Sequence, residues 1–140
     1  MSRFDPLFIP CVVMMIGLFS YLLRKWEETM RKIYSLRKMA LEAGGEYVLG
    51  ARDLRTHACY LIYGELAPGE RGRKVCPGAG HEEILLAVKG NLSLSAENEE
   101  IRLQEGEALH FQEEETVFLA NPGQEKSVYI PAGGHSGRAH

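Results

Sequence analysis

Three side chains of the types that bind divalent metals occur in two apolar segments of the sequence. His81 and Glu83 stand together at the start of GAGHEEILLAVKG, residues 78–90, and His110 lies in a later segment, EALHF. A metal site needs about three such ligands at fixed distances, commonly imidazole and carboxylate. If the segments fold as neighbouring strands, these side chains predict a site for iron, zinc, nickel or manganese and, with it, a metal-dependent enzyme.

A structural interpretation of the same side chains stays open. In that interpretation His81 is a turn residue, Glu83 is partly solvated at the end of a strand, and His110 makes a local hydrogen bond. No serine or cysteine stands in a recognisable nucleophile–base arrangement with a histidine, so the sequence predicts no catalytic residue. No cofactor is expected unless the metal interpretation holds.

The three cysteines, Cys11, Cys59 and Cys76, show no CxxC or other metal-binding spacing. Their number is odd and the chain is not a small disulfide-rich scaffold, so we expect free thiols in a reducing compartment. A disulfide between Cys59 and Cys76 is the alternative.

The segment after Gly45, in which the candidate ligands lie, has the pattern of an all-β domain. Short apolar runs alternate with turn sequences such as APGERG, CPGAG and NPGQE. The pattern predicts a small barrel over residues 46–132 and a flexible glycine-rich tail, residues 133–140. NLSLS, residues 91–95, alternates strictly and predicts one exposed face. ILLAV, residues 84–88, does not alternate and predicts burial on both faces or a subunit contact.

The N-terminal segment, residues 1–23, reads as a membrane anchor. Residues 6–23 contain no charge and as a helix would span about 27 Å, close to the thickness of a bilayer. A cleaved signal peptide is the disfavoured alternative, because only Arg3 precedes the apolar run. Since most of the basic residues follow the run, we expect a single-pass protein of the cytoplasmic (inner) membrane, with its N-terminus outside and its C-terminal domain in the cytoplasm.

Residues 24–45 are basic and are predicted to continue the helix as far as Gly44 and Gly45. Trp26 and Ile33 belong to an apolar stripe at helical spacing, so this juxtamembrane amphipathic helix would lie on anionic lipid or dock to a partner. A simple spacer between the membrane and the β domain is the alternative.

The net charge of −3 is unevenly distributed along the chain. Residues 1–43 carry seven Lys and Arg against four acids, whereas residues 44–140 carry nine against fifteen. Nucleic-acid binding requires a basic surface, so the acidic body excludes nucleic acid as a partner.

The order of strands and turns over residues 58–132 resembles the cupin family. Glu83 and Gly90 have the spacing of the metal-binding glutamate and the closing glycine of the first cupin motif. Gly106 and Asn121 have the spacing of the opening glycine and the asparagine of the second motif. The resemblance implies an all-β class with a cupin-like jelly-roll barrel, and it does not extend to residues 1–43. Together with the N-terminal segments, the predicted fold is this barrel preceded by one transmembrane α-helix and the juxtamembrane amphipathic helix.

The other metal ligands of the two cupin motifs are missing, so the resemblance implies a degenerate cupin that retains Glu83 alone. The positions that the family fills with histidine hold either Pro77 and Ala79 or, with the longer spacing, Cys76 and Gly78 in the first motif, and Val117 in the second.

Two further sets of residues are candidates for binding. If the barrel holds a small ligand, Glu83 and Asn121 are its polar anchors in an apolar cavity. A basic loop and an acidic turn are candidates for docking a partner, although ordinary solvated loops explain both; their residues are Arg71, Arg73, Glu113, Glu114 and Glu115.

These observations favour a non-catalytic accessory subunit of a larger membrane complex, by analogy a respiratory or redox complex. Its partners would be the integral membrane subunits of that complex and, through residues 6–23, the lipid bilayer. Two alternatives are kept: a membrane-tethered sensor that binds a small molecule, and a metal-dependent cupin enzyme with a rebuilt site.

Overall fold

The computed structural model describes residues 8–29 and 32–137, and it divides the chain into two compact units that meet between Tyr34 and Ser35. The first unit contains helix α1, Phe8–Thr29, as the apolar run predicts. From residue 14 to residue 25 every side chain of α1 is exposed. The helix thus presents apolar side chains on all sides, and this is unusual for a helix that packs into a core.

Within the part of the chain that the structure describes, no helix is both long enough and apolar enough to cross a membrane. The predicted span, residues 6–23, begins outside the described residues, and the anchor stays a prediction from the sequence.

The predicted continuous helix over residues 24–45 differs from the observed structure. Helix α1 ends at Thr29, residues 32–35 are not helical, and helix α2 covers Leu36–Glu42. Residues 33 and 34, an isoleucine and a tyrosine, have modest helix propensity, and the serine that follows them is of a type that favours helix starts. Because α2 belongs to the second unit, that unit begins earlier than residue 46.

The second unit is a two-sheet β structure, and its strands come in nearly the predicted order. The strands are β1 Glu46–Leu49, β2 Cys59–Leu66, β3 Arg71–Val75, β4 His81–Lys89, β5 Leu92–Ser95, β6 Glu100–Leu103, β7 Ala108–Phe111, β8 Val117–Ala120 and β9 Ser127–His135. Five strands form one antiparallel sheet in the order β1-β2-β9-β4-β7, and four form another in the order β3-β8-β5-β6.

The core lies between the inner faces of the two sheets. Successive strand residues point to opposite faces, so every second residue of each inner strand enters the core. In β5, Leu92 and Leu94 are buried while the serines between and after them are not, as the alternation of NLSLS predicts. The buried apolar residues are Leu66, Val75, Leu85, Ala87, Leu92, Leu94, Leu103, Phe111, Val117, Leu119 and Tyr129.

Three expectations about the second unit are corrected. Strand β4 is not buried on both faces, because Ile84 is 53 % exposed while its neighbour Leu85 is fully buried. A short helix, α3, Ala51–Leu54, lies inside the segment that was expected to be all-β. The predicted flexible tail begins too early, because β9 continues to His135, while residues 138–140 lie outside the described residues.

Candidate functional site

Glu83, the one metal ligand of the cupin motifs that this sequence retains, lies inside the barrel and is 2 % exposed. Its Oε2 accepts a hydrogen bond of 2.6 Å from the hydroxyl of Tyr60. Tyr60 and Glu83 lie on β2 and β4, and both pair with Gly133 on the strand between them. A Cβ at Gly133 would lie 2.6 Å from the Tyr60 oxygen, so the absence of a side chain there lets the phenol reach across β9.

A second tyrosine makes the same kind of crossing in the opposite direction. Tyr129 on β9 pairs with Gly64 on β2, and its hydroxyl donates to Oε2 of Glu46 on β1. A Cβ at Gly64 would lie 2.1 Å from Cζ of Tyr129, closer than any real contact. Each tyrosine therefore crosses a glycine of the neighbouring strand to reach a glutamate one strand further on.

The surroundings of Glu83 and of the two tyrosines raise the pKa values of these three side chains. Burial raises the pKa of the Glu83 carboxyl; the Tyr60 hydrogen bond opposes the shift and the charge of Glu46 adds to it. Burial and the adjacent carboxylates also raise the pKa values of the Tyr60 and Tyr129 phenols. At Glu46 a guanidinium of Arg73 lies 3.7 Å from Oε2, so this carboxylate has a cationic partner.

The histidines do not join Glu83 in a metal site. The ring of His81 stacks on that of His135, with centroids 4.7 Å apart, and its Nδ1 lies 3.0 Å from the carbonyl oxygen of Ala79, to which it donates. His110 points to the outer face of β7, where its Nε2 lies 3.1 Å from a carboxylate oxygen of Glu82.

The structure thus does not bring the three predicted ligands, His81, Glu83 and His110, together. Within residues 32–137, and among the described side chains of α1, no group of three His, Cys, Asp or Glu has the geometry to hold a metal ion. The donor set around Glu83 is a phenol and a single carboxylate, and this set does not fit the three-ligand metal centre of a cupin.

Of the positions that correspond to the missing cupin ligands, two serve the packing of the barrel and the others are exposed. Pro77 and Val117 are buried, the latter within the core, whereas Cys76 is an exposed free thiol, as is Cys59. The expected alternative, a disulfide between these two cysteines, is not formed. The glycines of the motifs, Gly90 and Gly106, both have left-handed backbones, φ 71° and 85°, which glycine adopts without strain.

Asn121, predicted as a ligand anchor, has its amide fully occupied by the protein. Its Nδ2 lies within 3.2 Å of the carbonyl oxygens of Leu66, Ala67 and Glu125, and its Oδ1 accepts from the Gly123 amide. The side chain ties the end of β2 to the turn after β8. It does not point into an open cavity with Glu83.

The predicted docking residues of the basic loop are separated by the fold. Arg71 is exposed, whereas Arg73 turns inward and donates to Glu70 over 2.6 Å as well as approaching Glu46. Arg73 is therefore held within the molecule, and of these two predicted docking residues Arg71 is the one that stays exposed.

The predicted docking residues of the acidic turn and of the N-terminal segment also differ from one another in their contacts and exposure. Glu113 accepts a hydrogen bond of 2.8 Å from Ser136, while Glu114 and Glu115 are exposed beside a groove. Ile33 is 92 % exposed, and the side chain of Trp26 lies outside the described part of α1.

The residues that sequence reasoning missed are the two tyrosines and the two glycines. The signal is present as a repeated spacing, because YLIYG, residues 60–64, and YIPAG, residues 129–133, both place glycine four residues after tyrosine. Residues four apart share one face of a strand, so an antiparallel pairing of the two segments sets each tyrosine opposite a glycine.

Comparison with known proteins supports the fold and not a family. The sequence matches no family model and no curated protein. The fold resembles a Cupin 2 conserved barrel domain protein from Salinispora arenicola, with a TM-score of 0.60 and 15 % identity over 77 % of this chain and 92 % of that chain. It also resembles a cupin protein from Bacteroides fragilis, with a TM-score of 0.59 and 13 % identity over 80 % and 87 % of the two chains.

A third similar structure is the cupin domain of a Schizosaccharomyces pombe protein, with a TM-score of 0.50 and 10 % identity; the match covers 56 % of this chain and 57 % of that chain. At these identities the likeness concerns the fold alone. The order of the strands, the glycines of the two motifs and the buried Glu83 agree with it, and the second unit of this chain has the cupin fold.

Proposed function

We propose that this chain is a non-catalytic accessory subunit of a larger membrane complex, in which a cupin barrel that has lost its metal site serves as an interaction module. The observation that carries the proposal is the state of Glu83: Tyr60 donates a hydrogen bond to one of its two carboxylate oxygens, and the described residues contain no group of three ligands that could complete a metal centre with it. A barrel without such a group has no agent for cupin metal chemistry among the described residues.

The tether in this proposal is the N-terminal apolar segment. Its support is the uncharged run of residues 6–23 in the sequence, together with the exposed apolar side chains of α1. Water-exposed apolar surface of this extent is costly, and a bilayer or the helices of membrane subunits would cover it. The basic residues after the run favour a cytoplasmic barrel at the inner membrane.

The test is gentle detergent extraction of the tagged full-length chain from native membranes, followed by mass spectrometry and elemental analysis of the same peak. The proposal expects integral membrane subunits in a fixed ratio to this chain and no metal attributable to it. If the chain is instead extracted alone and carries about one metal ion per chain, the proposal is wrong and the result favours the enzyme alternative.

One observation favours a second candidate, a membrane-tethered sensor of a small molecule. The other carboxylate oxygen of Glu83, Oε1, is buried and accepts no hydrogen bond from any described group. A buried oxygen of this kind costs about 1–3 kcal/mol, and a small ligand with a hydrogen-bond donor would recover that cost. Under this candidate a ligand that raises the melting temperature of the wild-type chain has no effect on Glu83→Gln.

A further inference from the structure

A groove with an apolar floor runs along the side of the barrel on which both sheets end. Its volume is about 980 Å³. It is lined by the turn between β5 and β6, by Ile101 of β6, by residues 109–111 of β7, and by the turn after β7 as far as Val117. The floor consists of the partly buried Ile101 and Leu109 and the buried Phe111 and Val117, which continue into the core. The groove is distinct from the Tyr60 and Glu83 pair, because neither residue lines it.

Two edge strands, β6 and β7, contribute residues to the groove. Strand β7 is the last strand of the five-stranded sheet and β6 is the last of the four-stranded sheet, so within the described residues each has one side that pairs with no other strand. An edge strand presents unpaired backbone N–H and C=O groups and accepts an additional strand. The two edges have four residues each, so the available ladder is short.

The charges along the groove indicate what kind of segment it can bind. Four carboxylates line it, and no Lys or Arg does; they are Glu97, Glu99, Glu114 and Glu115. None of the four belongs to an ion pair among the described residues. The one other titratable group in the lining, His110, is already bonded to Glu82. The site is therefore complementary to a cationic segment.

We propose that this groove binds an extended segment of a partner protein in which Lys or Arg alternates with small aliphatic residues. The segment pairs its backbone with the free edges of β6 and β7, sets its aliphatic side chains on Ile101 and Leu109, and directs its cations to the four carboxylates. Alternation follows because successive side chains of a strand point to opposite faces. This inference rests on the proposed function, to which it adds the surface and the chemistry of the partner.

The test uses the full-length chain in an uncharged detergent and a fluorescent, end-capped octapeptide of alternating lysine and valine. We expect saturable binding by fluorescence anisotropy, which the double variant Glu97→Gln with Glu115→Gln weakens about tenfold through the loss of two ion pairs. The matched control is Glu42→Gln with Glu125→Gln, two exposed positions outside the groove with the same change in net charge. It should bind the peptide within about twofold of the wild type.

Two further peptides separate the parts of the proposal. A peptide with glutamate in place of lysine should not bind, and one with N-methyl groups on alternate backbone nitrogens should bind at least about tenfold more weakly, because it cannot complete the ladder. Equal loss in both double variants, undiminished binding of the N-methylated peptide, or no binding of the lysine peptide would each overturn the inference. Since co-purification of membrane subunits is measured separately, a failure here leaves the proposed function standing, and the reverse also holds.

Discussion

At the scale of single residues, two tyrosines on the adjacent strands β2 and β9 organise the interior of this barrel, and their side chains cross the neighbouring strand in opposite directions. Tyr60 and Tyr129 each cross a glycine of the neighbouring strand, and each ends on a glutamate, Glu83 or Glu46. The arrangement fixes the register of β2 against β9, because a slip by one residue would turn both phenols to the outer face. It also converts a carboxylate of the metal motif into a partner for a phenol.

The ionisation of Glu83 should lower the stability of the fold. Its pKa is raised above the ordinary value of 4.5, chiefly by burial, so between that value and the raised pKa the folded state binds more protons than the unfolded state. Stability therefore falls as the pH rises through this window, and the cost is fully present above it. Glu83→Gln does not titrate, so from about pH 4.5 upward the wild type should lose stability relative to the variant.

The measurement is urea unfolding of both full-length proteins at several pH values between about 4 and 8. Carboxyls such as Glu65, whose pKa the hydrogen bond from Lys126 lowers, titrate alike in both proteins and cancel in the difference. Parallel stability curves for the two proteins would show that the Glu83 carboxyl does not carry the burial cost assigned to it.

The crossing over Gly64 gives a prediction about packing. Gly64→Ala places a methyl group 2.1 Å from Cζ of Tyr129, and we expect it to destabilise the protein by about 2–3 kcal/mol. Gly78→Ala is the matched control, since its Cβ would meet only the His81 ring at 3.7 Å, and it should change stability by less than about 0.5 kcal/mol.

A double variant identifies the cause of the loss at Gly64. If overpacking against the phenol is responsible, Gly64→Ala combined with Tyr129→Ala should cost clearly less than the sum of the two single changes, by denaturant unfolding. Additive costs would place the defect of Gly64→Ala elsewhere in β2.

At the scale of elements, Asn121 joins three of them. Its amide reaches the end of β2, the residue after it and the turn before β9. Asn121→Ala removes these bonds and takes the side-chain donor from the carbonyl of the buried Leu66. We therefore expect a loss of about 1–3 kcal/mol in the free energy of unfolding. Asn98→Ala, in an exposed turn, should change it by less than about 0.5 kcal/mol. A loss at Asn121 no larger than at Asn98 would remove its structural role and reopen that of a ligand anchor.

Most of the strands were predictable from the sequence because turn residues punctuate them, and the elements that were missed have identifiable physical reasons. The sequence pattern ends the β domain at residue 132, yet β9 continues through two glycines to His135, because the pairing with β2 and β4 on either side outweighs their weak strand propensity. Pro131 sits in this central strand, where proline is rare. The β2–β9 register skips the positions opposite Pro131 and Ile130, and proline has no N–H to donate there.

The candidate site was predictable only in part. The spacing of the cupin motifs located Glu83 and the glycines. It did not place His110 on the outer face, because the motifs do not specify the register of β7 against β4. Strand pairing sets Ile84 opposite His110 and Glu83 opposite Phe111, so the histidine and the retained glutamate face opposite ways. The hydrogen bond between Tyr60 and Glu83 depends on how three strands, β2, β9 and β4, pair with one another. The residue spacing within a single segment does not predict that pairing.

At the scale of the whole molecule, the chain combines a charge-free apolar segment, a basic stretch and an acidic barrel. In the function proposed above, the first part would contact lipid or membrane helices and the second part a cationic partner. The compact second unit begins at Ser35, so helix α2 should belong to the folding unit of the barrel and not to the N-terminal unit.

Two truncated chains test this division of the molecule. The chain from Ser35 onwards retains α2, in which Ala40 is fully buried and Arg37 lies 3.7 Å from Glu65 of β2; it should keep the thermal unfolding midpoint of the full-length barrel and leave the membrane fraction. The chain from Glu46 onwards loses these contacts and the bond that Gly45 accepts from the Glu65 amide, so it should be less stable by about 1–3 kcal/mol. Equal stability of the two truncated chains would show that α2 does not belong to the folding unit of the barrel. A chain from Ser35 that still sediments with membranes would show that the barrel itself binds to them.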